Sequence, residues 1–125
     1  EQYHHEFIQR NKDWTQDSEL VGLLNLITDL DPHFPEAYAV GTSIYADGFK
    51  DKHKALNYLL EGIHNNPRSW ELHRIATIMY ARHLGDPKRA LFHARLTVKY
   101  CDDQWYAPSM RRLLRTVQRL ADKRG

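Results

Sequence analysis

The 125 residues contain one cysteine, Cys101, so no disulfide can close within the chain and no thiolate metal site can be assembled. A lone thiol fits a reducing compartment and favours the cytoplasm without fixing it. No apolar run approaches the ~20 residues that span a bilayer. The richest stretch, "LVGLLNLI" at 20–27, is short and is interrupted by Gly22 and Asn25. The phosphate-binding patterns G-x-x-x-x-G-K and G-x-G-x-x-G are missing, as are the nucleophile elbow G-x-S-x-G and the zinc pattern H-E-x-x-H. No enzymatic chemistry, catalytic residue or cofactor is therefore expected. No segment alternates apolar and polar residues for long enough to argue for a strand. The chain begins with Glu1 rather than Met, which reads as a processed or excised piece, so a missing targeting signal says nothing about a parent protein.

What is present is ordinary for a globular domain: 42% hydrophobic and 27% charged residues, with a net charge of +2. The charge is unevenly spread. Arg111, Arg112, Arg115, Arg119, Lys123 and Arg124 crowd the last stretch against Asp122 alone, on a body that is slightly acidic.

The chain also repeats itself at an offset of 35 residues. "DKHKAL" at 51–56 answers "DPKRAL" at 86–91, and Pro32, Tyr45 and Ala46 answer Pro67, Tyr80 and Ala81. Apolar character persists where identity does not: Ala37 with Leu72, Val40 with Ile75, Gly41 with Ala76, Ile44 with Met79 and Ile63 with Val98. A fixed period of that length marks tandem structural units.

Each unit reads as two helices. Leu72, Ile75, Ala76 and Met79 make one helical face, and Ala90, Leu91, Ala94 and Val98 another. Between them Gly85 ends a helix, Asp86 caps the next and Pro87 suits its first turn. Asn65 or Asn66 is expected to take a left-handed conformation before Pro67. The spacing predicts helices near 2–12, 17–30, 35–47, 51–65, 69–83, 87–100 and 105–123. Close crossings are expected at the small residues Gly41, Ala55, Ala76 and Ala90. The equivalent place in the last helix holds Arg111, which cannot sit in a tight crossing. That helix should cap the stack through Met110, Leu113, Leu114, Val117 and Leu120, with its arginines in water.

These spacings resemble the tetratricopeptide repeat (TPR) family, whose units carry W-x-x-L-G-x-x-Y, then A-x-x-x-F, then P. The middle unit offers Ala37-x-x-Val40-Gly41-x-x-Ile44, Ala55-x-x-x-Leu59 and Pro67. The next offers Leu72-x-x-Ile75-Ala76-x-x-Met79 and Ala90-x-x-x-Ala94, with Asp102 in place of proline, and the first offers Phe7-Ile8, Leu20-x-x-x-Leu24 and Pro32. Aliphatics replace most of the pattern's aromatics, the period is 35 rather than 34, and the turns inside the second and third units look longer than usual. The resemblance implies an all-α fold of stacked antiparallel helix hairpins in a right-handed superhelix, an α-solenoid in one domain. Its units would be 1–32, 33–67 and 68–102, with a cap helix at 103–125.

It also implies a protein-binding scaffold with a concave groove lined by the first helices. By helical phase the lining would be Tyr38, Thr42, Tyr45, His73, Thr77 and Tyr80, with Trp70 and Trp105 ahead of their helices and Arg112 and Arg115 at the basic end. The partner would be a peptide segment of another protein. A lysine-rich carboxylate clamp is not expected, because the comparable positions hold His5, Gln9, Ala39, Trp70 and Arg74, of which only Arg74 suits the task. The eight histidines are expected at the surface or rim, and no metal site is expected: His4 and His5 diverge on a helix, and His53, His64, His83 and His93 fall on different helices. An RNA-binding helical repeat of the pentatricopeptide or HAT kind is the alternative, disfavoured by the near-neutral body and by the lack of a recurring polar pair. Self-association into a homo-oligomer is a third reading.

Overall fold

A computed structural model describes residues 18–124, all of whose regular structure is helical. We number the helices α1 (Ser18–Leu30), α2 (Pro35–Ser43), α3 (Lys52–Asn65), α4 (Trp70–Ile78), α5 (Pro87–Tyr100) and α6 (Ala107–Arg124). α2 and α4 each run on into a π-helical turn, Ile44–Gly48 and Met79–His83. The expected helix ends fall close to the observed ones; the expected helix at 2–12, with Phe7, Ile8, His4, His5 and Gln9, lies outside the described residues.

The ends are set by local chemistry. Asp51 caps α3 by accepting from the Lys54 amide at 3.0 Å, Ser69 caps α4 from Leu72 at 3.4 Å and Asp86 caps α5 from Arg89 at 3.1 Å. Proline opens α2 and α5. Asn66 does not become left-handed, having φ −137°. Its side-chain amide instead donates to the carbonyls of Pro32 (2.9 Å) and Gly62 (3.0 Å), and so ties the end of α3 to the connection between α1 and α2.

The repeat extends to the backbone hydrogen bonds. In the first π turn the Phe49 amide donates to Ile44 O at 3.0 Å and the Asp51 amide to Tyr45 O at 2.9 Å. In the second, Leu84 donates to Met79 O at 3.0 Å and Asp86 to Tyr80 O at 2.8 Å. After each turn one residue is left-handed: Lys50 at φ 58° and its counterpart Gly85 at φ 61°. These wide turns account for the long connections noticed in the sequence.

α2 packs on α3, α4 on α5, and α6 on α5, while α4 also touches α2 and α3. Gly41, Ala55, Ala76 and Ala90 are buried at these crossings. A Cβ on Gly41 would run into the Tyr58 ring, and one on Gly62 would lie 2.5 Å from Tyr38 Cγ. Gly62, not singled out from the sequence, is thus the second small seat in that crossing. On α6, Met110, Val117 and Ala121 are buried and Leu113 and Leu114 pack against the core. Leu120, expected to face inward, is 38% exposed; Ala121, one step round the helix, takes the inward direction.

Candidate functional site

Six of the residues expected to line a groove are interior. Tyr38 and Thr77 have no exposed surface, and His73, Thr42, Trp70 and Tyr80 are buried. The reason is that α2 and α4 are covered on two sides, by their own second helix and by a neighbouring unit, so the helical phase beside the packing edge is enclosed as well. The threonine hydroxyls are already used: Thr42 Oγ1 donates to Tyr38 O at 2.7 Å and Thr77 Oγ1 to His73 O at 2.8 Å. Tyr45 is half-buried against Phe49 and Tyr58. Trp70 packs against Tyr106 with ring centres 5.6 Å apart. Trp105, Arg112 and Arg115 are exposed on or just ahead of α6.

The interior phase forms two equivalent ring clusters. In one, Tyr58 meets Tyr38 at 5.3 Å and Tyr45 at 5.6 Å; in the other, His93 meets His73 at 5.2 Å and Tyr80 at 5.6 Å. The seats match the rings. Tyr58 and Tyr38 lie over Gly41 and Gly62, whereas the positions equivalent to those glycines in the histidine unit are Ala76 and Thr97. Larger rings sit on glycine and smaller rings accompany a methyl group, which keeps the crossing filled.

His73 and His93 correct the expectation of surface histidines. His73 Nε2 lies 2.8 Å from Pro67 O, which can only accept, so that nitrogen carries the proton. His73 Nδ1 is then an acceptor, and His93 Nδ1–H donates to it across 3.0 Å. Burial holds His73 below the ordinary histidine range, opposed by its bond to Pro67. Burial and the neighbouring His73 push His93 down to about 4. Both are neutral near pH 7, and among the described residues no group of three or more His, Cys, Asp or Glu side chains converges.

The open surface lies one residue further round the first helices. A cleft of about 320 Å³ opens between the ends of α2 and α4, with Ala46, Ile75, Ile78 and Met79 as its apolar lining and Ser43, Asp47, Lys52 and His83 as its polar one. A second cleft of about 200 Å³ lies between Pro35, Glu36 and Ala39 of α2 and Glu71, Arg74 and Ile75 of α4. A third of about 500 Å³ continues from Glu71 and Arg74 to Asp103, Tyr106, Ser109 and Met110 at the start of α6, with Trp70 in its wall. Ile75 is shared by the first two and Glu71 with Arg74 by the last two, so the clefts adjoin in a row along α2, α4 and the start of α6, a shallow furrow with these residues as its partitions.

Of the residues expected at a groove, only Thr42 and Trp70 touch this furrow. Ile75 and Met79 were missed because their spacing marked them, correctly in part, as packing residues, and Ile78 was not singled out at all. The furrow offers its main apolar contact in the first cleft and one guanidinium, Arg74, further along with the carboxylates of Glu36, Glu71 and Asp103. No family model, no characterised protein and no solved structure matches this chain.

Proposed function

We propose that the chain is a TPR-like, non-catalytic interaction module that binds an extended peptide segment of a protein partner along the furrow of α2, α4 and α6. The observation that carries this reading is the row of adjoining clefts along the first helices, with Ile75 shared by one neighbouring pair and Arg74 by the next. The duplicated turns and caps at Lys50–Asp51 and Gly85–Asp86 support a stack of like hairpins, and a right-handed superhelix is the arrangement proposed for them. The apolar first cleft would take one or two aliphatic side chains of the peptide. Arg74 would take a carboxylate or a backbone carbonyl.

Selection of binders from a displayed peptide library supplies the test. Ile78→Glu should weaken a selected peptide by at least about tenfold, about 1.4 kcal/mol. Phe92, 58% exposed on α5 and outside the furrow, is the control. Binding lost in Phe92→Glu and kept in a folded Ile78→Glu would reject the furrow.

A further inference from the structure

The outer face of α6 plays no part in the furrow or the core. Arg111, Arg112, Arg115, Arg119 and Lys123 are all exposed there. Among the described residues none of them forms an ion pair. Arg112 donates to Ser109 Oγ at 3.0 Å, and Asp122, the acid among them, accepts from the Gln118 amide at 3.0 Å. Ahead of the helix stands Trp105, 84% exposed, the most exposed large hydrophobic residue of those described. It keeps the helical phase: the Ala107 amide donates to Asp103 O and the Met110 amide to Tyr106 O, both at 3.0 Å, so the winding begins before Ala107. Residues seven apart then fall on nearly one line. Trp105, Arg112 and Arg119 lie along it, flanked by Arg115 and Lys123. At 1.5 Å per residue the stripe is about 27 Å long, with positive charges about one helical turn apart.

From this geometry we propose that the outer face of α6 binds single-stranded nucleic acid, the arginines holding successive phosphates and the Trp105 indole stacking on a base. Arginine outnumbers lysine on the stripe, and its planar fork suits phosphate oxygens. An unpaired base presents the flat face that an exposed indole covers, whereas a duplex hides it. A convex ridge needs no pocket for an extended polyanion, because the attraction comes from the released counterions. A lipid surface fits less well. The apolar side of α6 is spent on the core, which leaves Trp105 and the half-exposed Leu120 as too little to embed. An acidic peptide would match the charges but gives the indole no stacking partner.

Fluorescence anisotropy with labelled oligo(dT) and oligo(U) of about 15 nucleotides tests this across about 50 to 200 mM salt. Both should bind, since the contacts invoked are phosphate and stacking. The four cations of the stripe at about 0.7 each predict a log–log salt slope of about −2.8. Trp105→Ala should weaken binding by about fivefold or more and abolish most of the quenching of protein fluorescence. Arg112→Glu with Arg119→Glu should weaken it by about tenfold or more and flatten the slope by about 1.4. Lys54→Glu with Lys88→Glu makes the same charge change on exposed residues of α3 and α5 and should leave the slope nearly unchanged. Circular dichroism confirms the fold of each variant. The proposal is overturned if neither oligonucleotide binds at the lowest salt, if the folded stripe variants bind like the parent, or if phosphatidylserine vesicles or polyglutamate are bound while the oligonucleotides are not.

Discussion

Titrating the folded protein from pH 7 toward pH 4 drives a proton at the His73–His93 pair, which has no place for it. His73 Nε2 is committed to Pro67 O, and a proton on His73 Nδ1 would face the N–H of His93 across 3.0 Å. A proton on His93 Nε2 would be buried beside Tyr80, whose ring lies at 11° to the imidazole, with Phe92 also against His93, Tyr100 against His73, and, among the described residues, no carboxylate acting on it. In the unfolded chain these histidines titrate near 6.5, and in the folded chain His93 titrates at about 4. The unfolded state therefore binds the proton first. Stability is whole above about pH 6.5, falls between 6.5 and about 4, and is flat below that as far as this group is concerned. Each pKa unit is about 1.4 kcal/mol, so His93 alone removes about 3 kcal/mol, a large share of the 5–15 kcal/mol that holds a typical domain. His73 shifts the same way and adds to the loss. Urea melts followed by circular dichroism at a series of pH values would read it. His93→Asn keeps an N–H for His73 and removes the titration, so its stability should fall about 3 kcal/mol less than the parent's over this range. Parallel curves for the two proteins would refute the reasoning, since the carboxylates titrate in both and cancel.

Gly41→Ala should cost about 1–3 kcal/mol in a urea melt, because the new methyl meets the Tyr58 ring. Adding Tyr58→His, which copies the Ala76 and His93 of the next unit, should recover part of that loss. Additive effects of the two changes would show that ring and seat are not coupled. Lys50→Gly should stabilise by about 1 kcal/mol, because Lys50 holds the left-handed conformation that its counterpart leaves to Gly85. Gly85→Ala should cost about 1 kcal/mol for the same reason, and thermal melts of the pair check both signs.

The helices were legible because their punctuation is local. Asp51, Gly85, Asp86 and Pro87 act on their own or adjacent turns, and a short window of sequence contains the whole interaction. The π turns left only a trace, a connection that looked long, because a helix that widens by one residue keeps its composition. The groove assignment failed for a tertiary reason. Helical phase separates one face from another, but it does not say how many neighbours a helix has. Tyr38, Thr42, His73 and Thr77 look like an outward stripe until α2 and α4 are seen covered on two sides. The furrow went unrecognised because Ile75 and Ile78 serve packing and surface at once, each half-buried. The histidine pair was hidden for a simpler reason: residues 73 and 93 meet across two helices, and nothing near either of them names the other.

The wide turns also bear on descent. Ile44–Gly48 and Met79–His83 stand the same distance apart as Lys50 and Gly85, Asp51 and Asp86, and the Tyr58 and His93 rings. Two separate insertions at one step of two helices, each followed by the same left-handed exit and the same aspartate cap, would require coincidence several times over. One ancestral hairpin that already held the extra residue, then copied in tandem, requires it once. On that account the helical defect is the older trait, and the exchange of tyrosines on glycine for histidines with alanine and threonine is what the two copies have since done apart.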